Sequence, residues 1–292
     1  MNGLLIVNKE KDCTSRDVVN DVSKILGVRK IGHTGTLDPM ATGVLVLCVG
    51  KCTKLVDVIT SDCKEYVADV CLGYETDTLD VTGTKLRENS KNVTKEEVIE
   101  VLNSMIGCYD QEVPIYSAVK IDGKKLYEYA RNNISIDLPK RNVCIQELEL
   151  ISELEYKDNC IYFKIRCLVS KGTYIRSLIR DIAYRLGTLG VMASLERVKQ
   201  GDFTIDEAYS VSDIKNGNYK LIDLRTYFKD MYTIKVEHKM KVDILNGKII
   251  DNNYKSDKVL FIDENDLVLA IYSIYDKDNS KMKPFKMFGG IK

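Results

Sequence analysis

The sequence lacks tryptophan and contains only two histidines, His33 and His238, and four prolines among its 292 residues. Two histidines leave little room for a histidine-based catalytic triad or a zinc site. The nine cysteines include no C-x-x-C pair, so no zinc or thioredoxin-like motif is present. Scattered thiols of this kind are typical of a cytosolic protein with reduced, mostly buried cysteines. We therefore expect free thiols and no metal site.

Long apolar runs are also absent. The apolar run in the opening MNGLLIVNKEKDCTS is too short for a signal peptide, and no stretch approaches the length of a membrane span. The 43 basic and 43 acidic residues cancel, which argues against a non-specific polyanion binder but leaves room for a local basic patch. We expect a cytoplasmic protein with no membrane partner. Its length fits one large domain followed by a small one.

Apolar periodicity predicts a mixture of helices and half-buried strands. Helices are expected from Ser15 as N-cap to Gly27, from Thr94 to Gly107, over 122–133, and from 175 to Gly187. Strands are expected at 65–73, 143–151 and 160–169. Their alternation favours an antiparallel sheet, and so the α+β class rather than a doubly wound parallel fold. Short strand candidates after residue 225 predict a small β-barrel.

A lone carboxylate, Asp38, lies in the turn-rich segment IGHTGTLDPMATGVLVL (31–47), just before an apolar strand. Glycines allow close approach of a ligand or another chain segment, and Pro39 restricts the backbone at Asp38. From these residues alone, a preorganised catalytic carboxylate and a residue capping a turn at Pro39 are about equally supported. Other chemistry fits poorly, because GVLVLCVGKC lacks phosphate-loop spacing and no G-x-S-x-G motif exists.

Four blocks in this sequence resemble one known family. GHTGTLDPMATGVL is similar to the catalytic signature of the TruB family of tRNA pseudouridine synthases. The other blocks, in family order within residues 1–200, are KEYVADVCLGYETDTLDVTG, PIYSAVKIDGKKLYEYAR and VSKGTYIRSLIRDIAYRLG. The opening GLLIVNKEKDCTS departs from the family pattern, with Glu10 at the usual proline and Asp12 at the usual glycine.

The resemblance implies an α+β pseudouridine synthase core, with a mixed, mostly antiparallel sheet flanked by helices, over residues 1–225. Residues 226–292 would form a small PUA-like β-barrel that binds RNA. The implied reaction isomerises uridine to pseudouridine in the T loop of tRNA, at the position conventionally numbered 55. It needs neither cofactor nor metal, and the T arm of tRNA is the expected partner. Nothing in the sequence marks a dimer interface, so we expect a monomer.

The resemblance also assigns roles to individual residues. Asp38 matches the family's nucleophile, and Arg176 matches the arginine that pairs with it. Tyr66 matches the active-site tyrosine, whose ring stacks on the flipped uracil and whose hydroxyl is placed to help remove the C5 proton. Leu195 matches an apolar residue that packs against the base. His33 is expected to fill the space that the flipped base leaves in the RNA loop.

Basic residues around the third block, Lys120, Lys124, Lys125 and Arg131, could contact RNA phosphates. Taken singly, each is equally consistent with a solvated surface. Asp77 is expected, with Asp80, to shape a loop or hold an arginine.

Three alternative functions remain open at this point. One is a relative guided by a small RNA with partner proteins, and another is a non-catalytic RNA-binding or tRNA-folding protein with the same fold. A glycoside hydrolase would require a second well-placed carboxylate.

Overall fold

The computed structural model describes residues 1–61 and 63–291. The helices are α1 (Ser15–Leu26), α2 (Val56–Thr60), α3 (Lys95–Ser104), α4 (Leu126–Arg131), α5 (Ile175–Arg185), α6 (Val211–Lys215), α7 (Leu224–Tyr227) and α8 (His238–Leu245). The strands are β1 (Gly3–Lys9), β2 (Ile31–His33), β3 (Thr42–Val49), β4 (Lys64–Leu72), β5 (Tyr74–Thr76), β6 (Lys85–Glu88), β7 (Gly107–Glu112), β8 (Lys120–Ile121), β9 (Lys124–Lys125), β10 (Lys140–Leu150), β11 (Glu155–Lys157), β12 (Cys160–Val169), β13 (Gly190–Gln200), β14 (Phe203–Thr204), β15 (Thr233–Lys235), β16 (Ile250–Asp251), β17 (Lys258–Ile262), β18 (Val268–Tyr275) and β19 (Asp278–Ile291).

The chain divides into two units by its internal contacts. The first unit contains Met1–Asp38, Leu45–Thr60 and the chain from Asp206 onward, and the second contains Pro39–Val44 and Ser61–Ile205. Helices and mostly antiparallel strands occur in both, which confirms the predicted α+β class. The functional boundary at residue 225 stays a prediction.

The second unit is built on a sheet with strand order β13-β4-β12-β10-β7, in which neighbouring strands are antiparallel. At one edge the first residues of β3, Thr42 and Gly43, pair in parallel with β13, so the sheet is mixed. The alternation predicted for β12 is confirmed by its buried residues Ile161, Phe163, Ile165, Cys167 and Val169.

Helix α5 packs on the sheet of the second unit. Its buried stripe includes the predicted residues Ile175, Leu178, Ile179 and Ile182. Near its end, the backbone of Gly190 lies so close to Ala183 that an added Cβ would be 2.9 Å from the Ala183 side chain. This close packing fixes α5, the helix that carries Arg176, against the sheet.

The first unit has its own apolar core, formed by β1, β3, α1 and α6. Its buried residues are Leu5, Val7, Val18, Val19, Val22, Ile31, Leu45, Leu47, Val49 and Ile214. Strand β1 is also hydrogen-bonded to later chain, since Leu4 N–H donates to the Ile222 carbonyl at 2.8 Å.

A small sheet with strand order β15-β17-β18-β19-β16 forms the C-terminal part of the first unit. Val259, Phe261, Leu269, Tyr272 and Met282 are among its buried core residues. The predicted small C-terminal β-structure is thus confirmed. Helix α8 was not expected there, because its polar, lysine-rich sequence lacks a clear apolar stripe.

Three local predictions are wrong. Thr14 rather than Ser15 is the N-cap of α1, in a capping box with Asp17. Residues 122–133 are not one helix, because Asp122 and Gly123 adopt positive φ and turn β8 into β9 before α4 begins. Finally, Cys108 and Cys144, directly opposite each other on β7 and β10, form a disulfide, so the expectation of free thiols fails for this pair.

Candidate functional site

The chain just before Asp38 is held by helix α1. The Ser15 hydroxyl accepts a hydrogen bond from the Leu37 N–H at 2.9 Å and donates to the Leu37 carbonyl at 3.3 Å. Ser15 is 2% exposed and Leu37 is 3% exposed. Because Thr14 caps the helix, the Ser15 hydroxyl is available for this contact. Asp38 itself is half-buried and follows directly on this fixed residue.

The chain just after Asp38 is held by strand β13. Gly43 has φ +102°, and an added Cβ would lie 2.3 Å from the Arg197 carbonyl oxygen. The Arg197 side chain is 1% exposed and its Nε donates to the Val44 carbonyl at 2.7 Å. The expected close approach of a glycine to another chain segment is therefore met at Gly43. Asp38 thus lies in the sequence between two fixed backbone segments.

Tyr66 and Leu195 lie on the same face of the second unit's sheet. Tyr66 is opposite Arg197, and Ala68, two residues later on β4, is opposite Leu195. Cross-strand partners point to the same face, so Tyr66 and Leu195 are diagonal neighbours. Each is 7% exposed. An aromatic ring beside an aliphatic side chain can contact a planar base.

The Arg176 guanidinium is buried at the start of α5, with 5% of the residue exposed. Its Nη1 donates to the Thr78 carbonyl at 3.0 Å and its Nη2 to the Tyr116 carbonyl at 3.1 Å. Two carbonyls fix the plane of the guanidinium, which stays charged when buried. Its position in the sequence alone would have suggested a solvated residue on the helix face. Arg176 is instead a fixed, buried cation.

Residues that the sequence did not single out hold the first turn of α5. The Gln111 side chain is 1% exposed and makes two hydrogen bonds to the Tyr174 backbone, accepting from N–H at 2.8 Å and donating to the carbonyl at 3.2 Å. Ser177 Oγ donates to the Glu112 carbonyl at 2.8 Å. Tyr174 is the N-cap residue of α5, but its side chain makes no capping hydrogen bond. Gln111 lies in the short strand GCYDQE, which has no apolar alternation, so its sequence carries no signal for this role.

A charged network supports the middle of α5. The Arg180 side chain donates to Glu112 Oε1 at 2.7 Å and to Asp181 Oδ1 at 2.9 Å. The Tyr109 hydroxyl donates to Asp181 Oδ2 at 3.0 Å. Burial, followed by the charge of Asp181, raises the pKa of Tyr109 well above its ordinary value, so the hydroxyl remains a donor.

Asp80 shapes the loop that presents Thr78, as predicted. Its Oδ1 accepts hydrogen bonds from Thr78 Oγ1 at 2.8 Å, from Thr82 N–H at 3.0 Å and from Thr82 Oγ1 at 2.6 Å. Leu79, between Thr78 and Asp80 in the sequence, has φ +64°. This backbone conformation is unusual for a leucine, and the hydrogen bonds of Asp80 maintain it.

The predicted phosphate-contacting residues are brought together by the β8–β9 hairpin and α4. Lys120 is the cross-strand partner of Lys125. Lys120, Lys124 and Arg131 are exposed, whereas Lys125 is half-buried and donates to the Tyr127 hydroxyl at 3.2 Å. The hairpin therefore concentrates positive charge at one surface of the second unit, where it is available to an anionic ligand.

His33 ends strand β2 in the first unit, where it pairs with Leu47 and is half-buried. Asp38 belongs to the same unit, while Tyr66, Leu195 and Arg176 belong to the second. Within residues 1–61 and 63–291, no group of three or more metal-ligating side chains is positioned to hold an ion. None of the helices in the described chain combines the length and apolar character needed to cross a membrane.

Known proteins match this chain over nearly its whole length. The profile of the TruB family pseudouridylate synthase (N terminal domain) matches residues 23–175. The tRNA pseudouridine synthase B of Staphylococcus aureus, strains MSSA476 and Newman, is 41% identical over 302 aligned positions, covering 98% of this chain and 99% of the relative.

Solved structures share the fold. An H/ACA RNP bound to a substrate RNA containing 2'-deoxyuridine aligns with a TM-score of 0.67 and 20% identity, over 98% of this chain and 84% of that one. The archaeal box H/ACA sRNP Nop10-Cbf5 complex aligns with a TM-score of 0.65 and 20% identity, over 99% of this chain and 86% of that one. The sequence matches confirm the resemblance carried by the four blocks, and this chain belongs to the TruB family of pseudouridine synthases.

Proposed function

We propose that this chain isomerises uridine to pseudouridine at position 55 in the T loop of tRNA. The observation that carries the proposal is the 41% identity to tRNA pseudouridine synthase B across 98% of this chain and 99% of that relative. The fixed backbone on both sides of Asp38 and the buried Arg176 agree with it.

Asp38 is the proposed nucleophile. In the net reaction the glycosidic bond between C1′ and N1 breaks, the uracil turns, and a bond between C5 and C1′ forms. C5 loses a proton and N1 gains one, so the reaction is an isomerisation that requires no redox partner, metal or energy source. Arg176 is proposed to pair with Asp38 and keep its carboxylate ionised, because a guanidinium remains charged in a pocket with little water.

Tyr66 and Leu195 are proposed to hold the flipped base. Flipping the uridine out of a folded loop costs a few kcal/mol, which stacking on Tyr66 and contact with Leu195 would offset. Their placement on one face of the sheet supports this role. Tyr66 is also proposed to help remove the C5 proton, and His33 to fill the space left in the RNA loop.

The exposed basic hairpin is proposed to bind the phosphates of the T arm through Lys120, Lys124, Lys125 and Arg131. Residues 226–292 are proposed as a further RNA-binding domain attached to a catalytic domain of residues 1–225. We propose a cytoplasmic monomer that recognises the T arm by shape and backbone.

A guided enzyme and a non-catalytic RNA-binding protein are the alternatives. The 20% identity to the H/ACA structures supports a common fold and gives no reason to expect a guide RNA here. Retention of Asp38, Tyr66 and Arg176 argues against an inactive relative.

Mapping of pseudouridine at single-nucleotide resolution tests the proposal. Purified protein would be incubated with an unmodified tRNA transcript in buffer and salt alone, beside a transcript carrying cytidine at position 55 and an isolated T-arm stem–loop. We expect product at position 55 of the first and at the matching uridine of the stem–loop, and none in the cytidine transcript. Product at other positions would overturn the assigned site. Binding without product would favour the RNA-binding or guided alternative.

A further inference from the structure

The orientation of Arg176 depends on two separate loops. Its Nη1 contacts the Thr78 carbonyl, in the turn between β5 and β6, and its Nη2 contacts the Tyr116 carbonyl, in the loop after β7. If either loop moved, one of these two carbonyls would leave hydrogen-bonding range and would no longer help to orient the guanidinium. A group that connects the two loops would therefore help to set where the charge of Arg176 points.

Asp77 connects them. Its Oδ1 accepts a hydrogen bond from the Thr84 N–H at 2.7 Å, and its backbone N–H donates to the Thr84 carbonyl at 3.1 Å, which closes the turn that presents Thr78. Its other oxygen, Oδ2, accepts from the Tyr116 hydroxyl at 3.2 Å. One carboxylate thus bonds to both loops whose carbonyls hold the guanidinium.

Tyr116 can keep this contact over a wide pH range. The side chain is half-buried. Burial and the neighbouring charge of Asp77 raise the pKa of Tyr116 above its ordinary value. The hydroxyl therefore stays protonated at neutral and mildly alkaline pH and remains a donor to the carboxylate.

We propose that Asp77 and Tyr116 are positioning residues for Arg176. They act through the Thr78 and Tyr116 carbonyls rather than on the reacting atoms, and they set the guanidinium in the orientation that the isomerisation needs. This inference rests on the proposed function. A residue that only stabilised the loop would change the melting temperature, whereas a positioning residue also changes the rate of the chemical step through Arg176.

Two conservative variants remove or weaken the hydrogen bond between Asp77 and Tyr116. Tyr116→Phe removes only the hydroxyl. Asp77→Asn keeps an oxygen that can accept from the Thr84 N–H, but its amide group can only donate to the Tyr116 hydroxyl oxygen, so the hydrogen bond from that hydroxyl to a charged carboxylate is lost. We expect each variant to lower the single-turnover rate about tenfold and to leave the Kd for tRNA within about twofold of wild type. The single-turnover rate of the double variant should be no lower than that of either single variant.

The matched controls are Tyr156→Phe and Asp110→Asn. Tyr156 donates to the Val93 carbonyl at 2.9 Å, so Tyr156→Phe loses one comparable hydrogen bond away from Arg176. Asp110 accepts from the Asn142 amide at 3.1 Å, and Asp110→Asn makes the same exchange of a carboxylate for an amide, with a remaining oxygen that can still accept this bond. Both should keep the wild-type rate.

Whether Tyr116 acts through Arg176 is tested by measuring the effect of Tyr116→Phe on the rate in an Arg176→Lys protein, at excess enzyme and with long incubation. A lysine cannot contact both carbonyls in the same way, so Tyr116→Phe should then cause no further loss of rate. Full rate in both Tyr116→Phe and Asp77→Asn, or the same loss in the Arg176→Lys background, would overturn the inference alone. A wild-type protein that makes no pseudouridine would overturn the proposed function, and this inference with it.

Discussion

Replacement of Ser15 by alanine should weaken the segment that carries Asp38. The substitution removes the partner of the Leu37 N–H at 2.9 Å and of the Leu37 carbonyl at 3.3 Å. Both residues are nearly inaccessible to water. An unsatisfied buried donor costs about 1–3 kcal/mol, and the longer bond to the carbonyl adds little. Since Thr14 and Asp17 still cap α1, we expect Ser15→Ala to lower the free energy of unfolding by about 1–3 kcal/mol.

The same substitution should slow the chemical step, because Asp38 follows Leu37 directly. If about 1.4 kcal/mol of the lost fixation must be restored in the transition state, the single-turnover rate falls about tenfold. Urea unfolding gives the stability change, and single-turnover pseudouridine formation gives the rate. Ser152→Ala is the matched control: the Ser152 hydroxyl accepts from Lys164 N–H at 2.8 Å and donates to the Glu153 carbonyl at 2.9 Å, but these hydrogen bonds are exposed to solvent and Ser152 itself is half-buried.

Water can replace the lost partners of Ser152, so its alanine variant should stay within about 0.5 kcal/mol of wild type at full rate. The reasoning is refuted if Ser15→Ala is as stable as Ser152→Ala. It is also refuted if Ser15→Ala loses stability but keeps the wild-type rate, because the contact would then support the fold without positioning Asp38.

Other predictions concern strand packing, thiols, alkaline pH and RNA binding. Gly43→Ala should cost about 3 kcal/mol or more in urea unfolding, since φ is +102° and the methyl would lie 2.3 Å from a carbonyl oxygen; a stable variant would contradict the strand pairing. Thiol titration of denatured, unreduced protein should find seven free thiols, and reduction should release Cys108 and Cys144; nine thiols before reduction would exclude the bond. Burial raises the pKa of Tyr272 to about 12, above its unfolded value of about 10. The contribution of un-ionised Tyr272 to the free energy of unfolding is therefore complete below about pH 10 and is lost toward about pH 12. Wild type should lose more stability than Tyr272→Phe in that interval; parallel plots of stability against pH for the two proteins would contradict this. Lys124→Ala should weaken tRNA binding and reduce the salt dependence by roughly one released counterion; an unchanged slope would exclude a phosphate contact.

The sequence predicted the regular elements well where apolar periodicity was strong. The alternation of Ile161, Phe163 and Ile165 and the apolar stripe of α5 gave β12 and α5 nearly to the residue. Prediction failed where local and distant contacts compete for one group. Ser15 is a good N-cap residue, but Thr14 with Asp17 completes the capping box and leaves the Ser15 hydroxyl to a residue 22 positions away.

The candidate site shows the same limit. Asp38, Tyr66 and Arg176 were singled out as candidates because they match motifs, not because their residue types were unusual. Gln111 and Arg197 were missed, because each lies in a strand that apolar periodicity did not predict, β7 or β13, and only the tertiary structure shows that it is buried. The disulfide was also beyond prediction, since cross-strand register decides which cysteines meet.

The most direct test of the central claim compares wild type with Asp38→Asn in one experiment that measures both tRNA binding and pseudouridine at position 55. Asparagine keeps the size and hydrogen-bonding capacity of the side chain but removes the nucleophilic carboxylate. The account predicts equal Kd values, product from wild type and none from Asp38→Asn. Product from Asp38→Asn at a rate near that of wild type would contradict it and would leave Asp38 as a residue of the turn at Pro39.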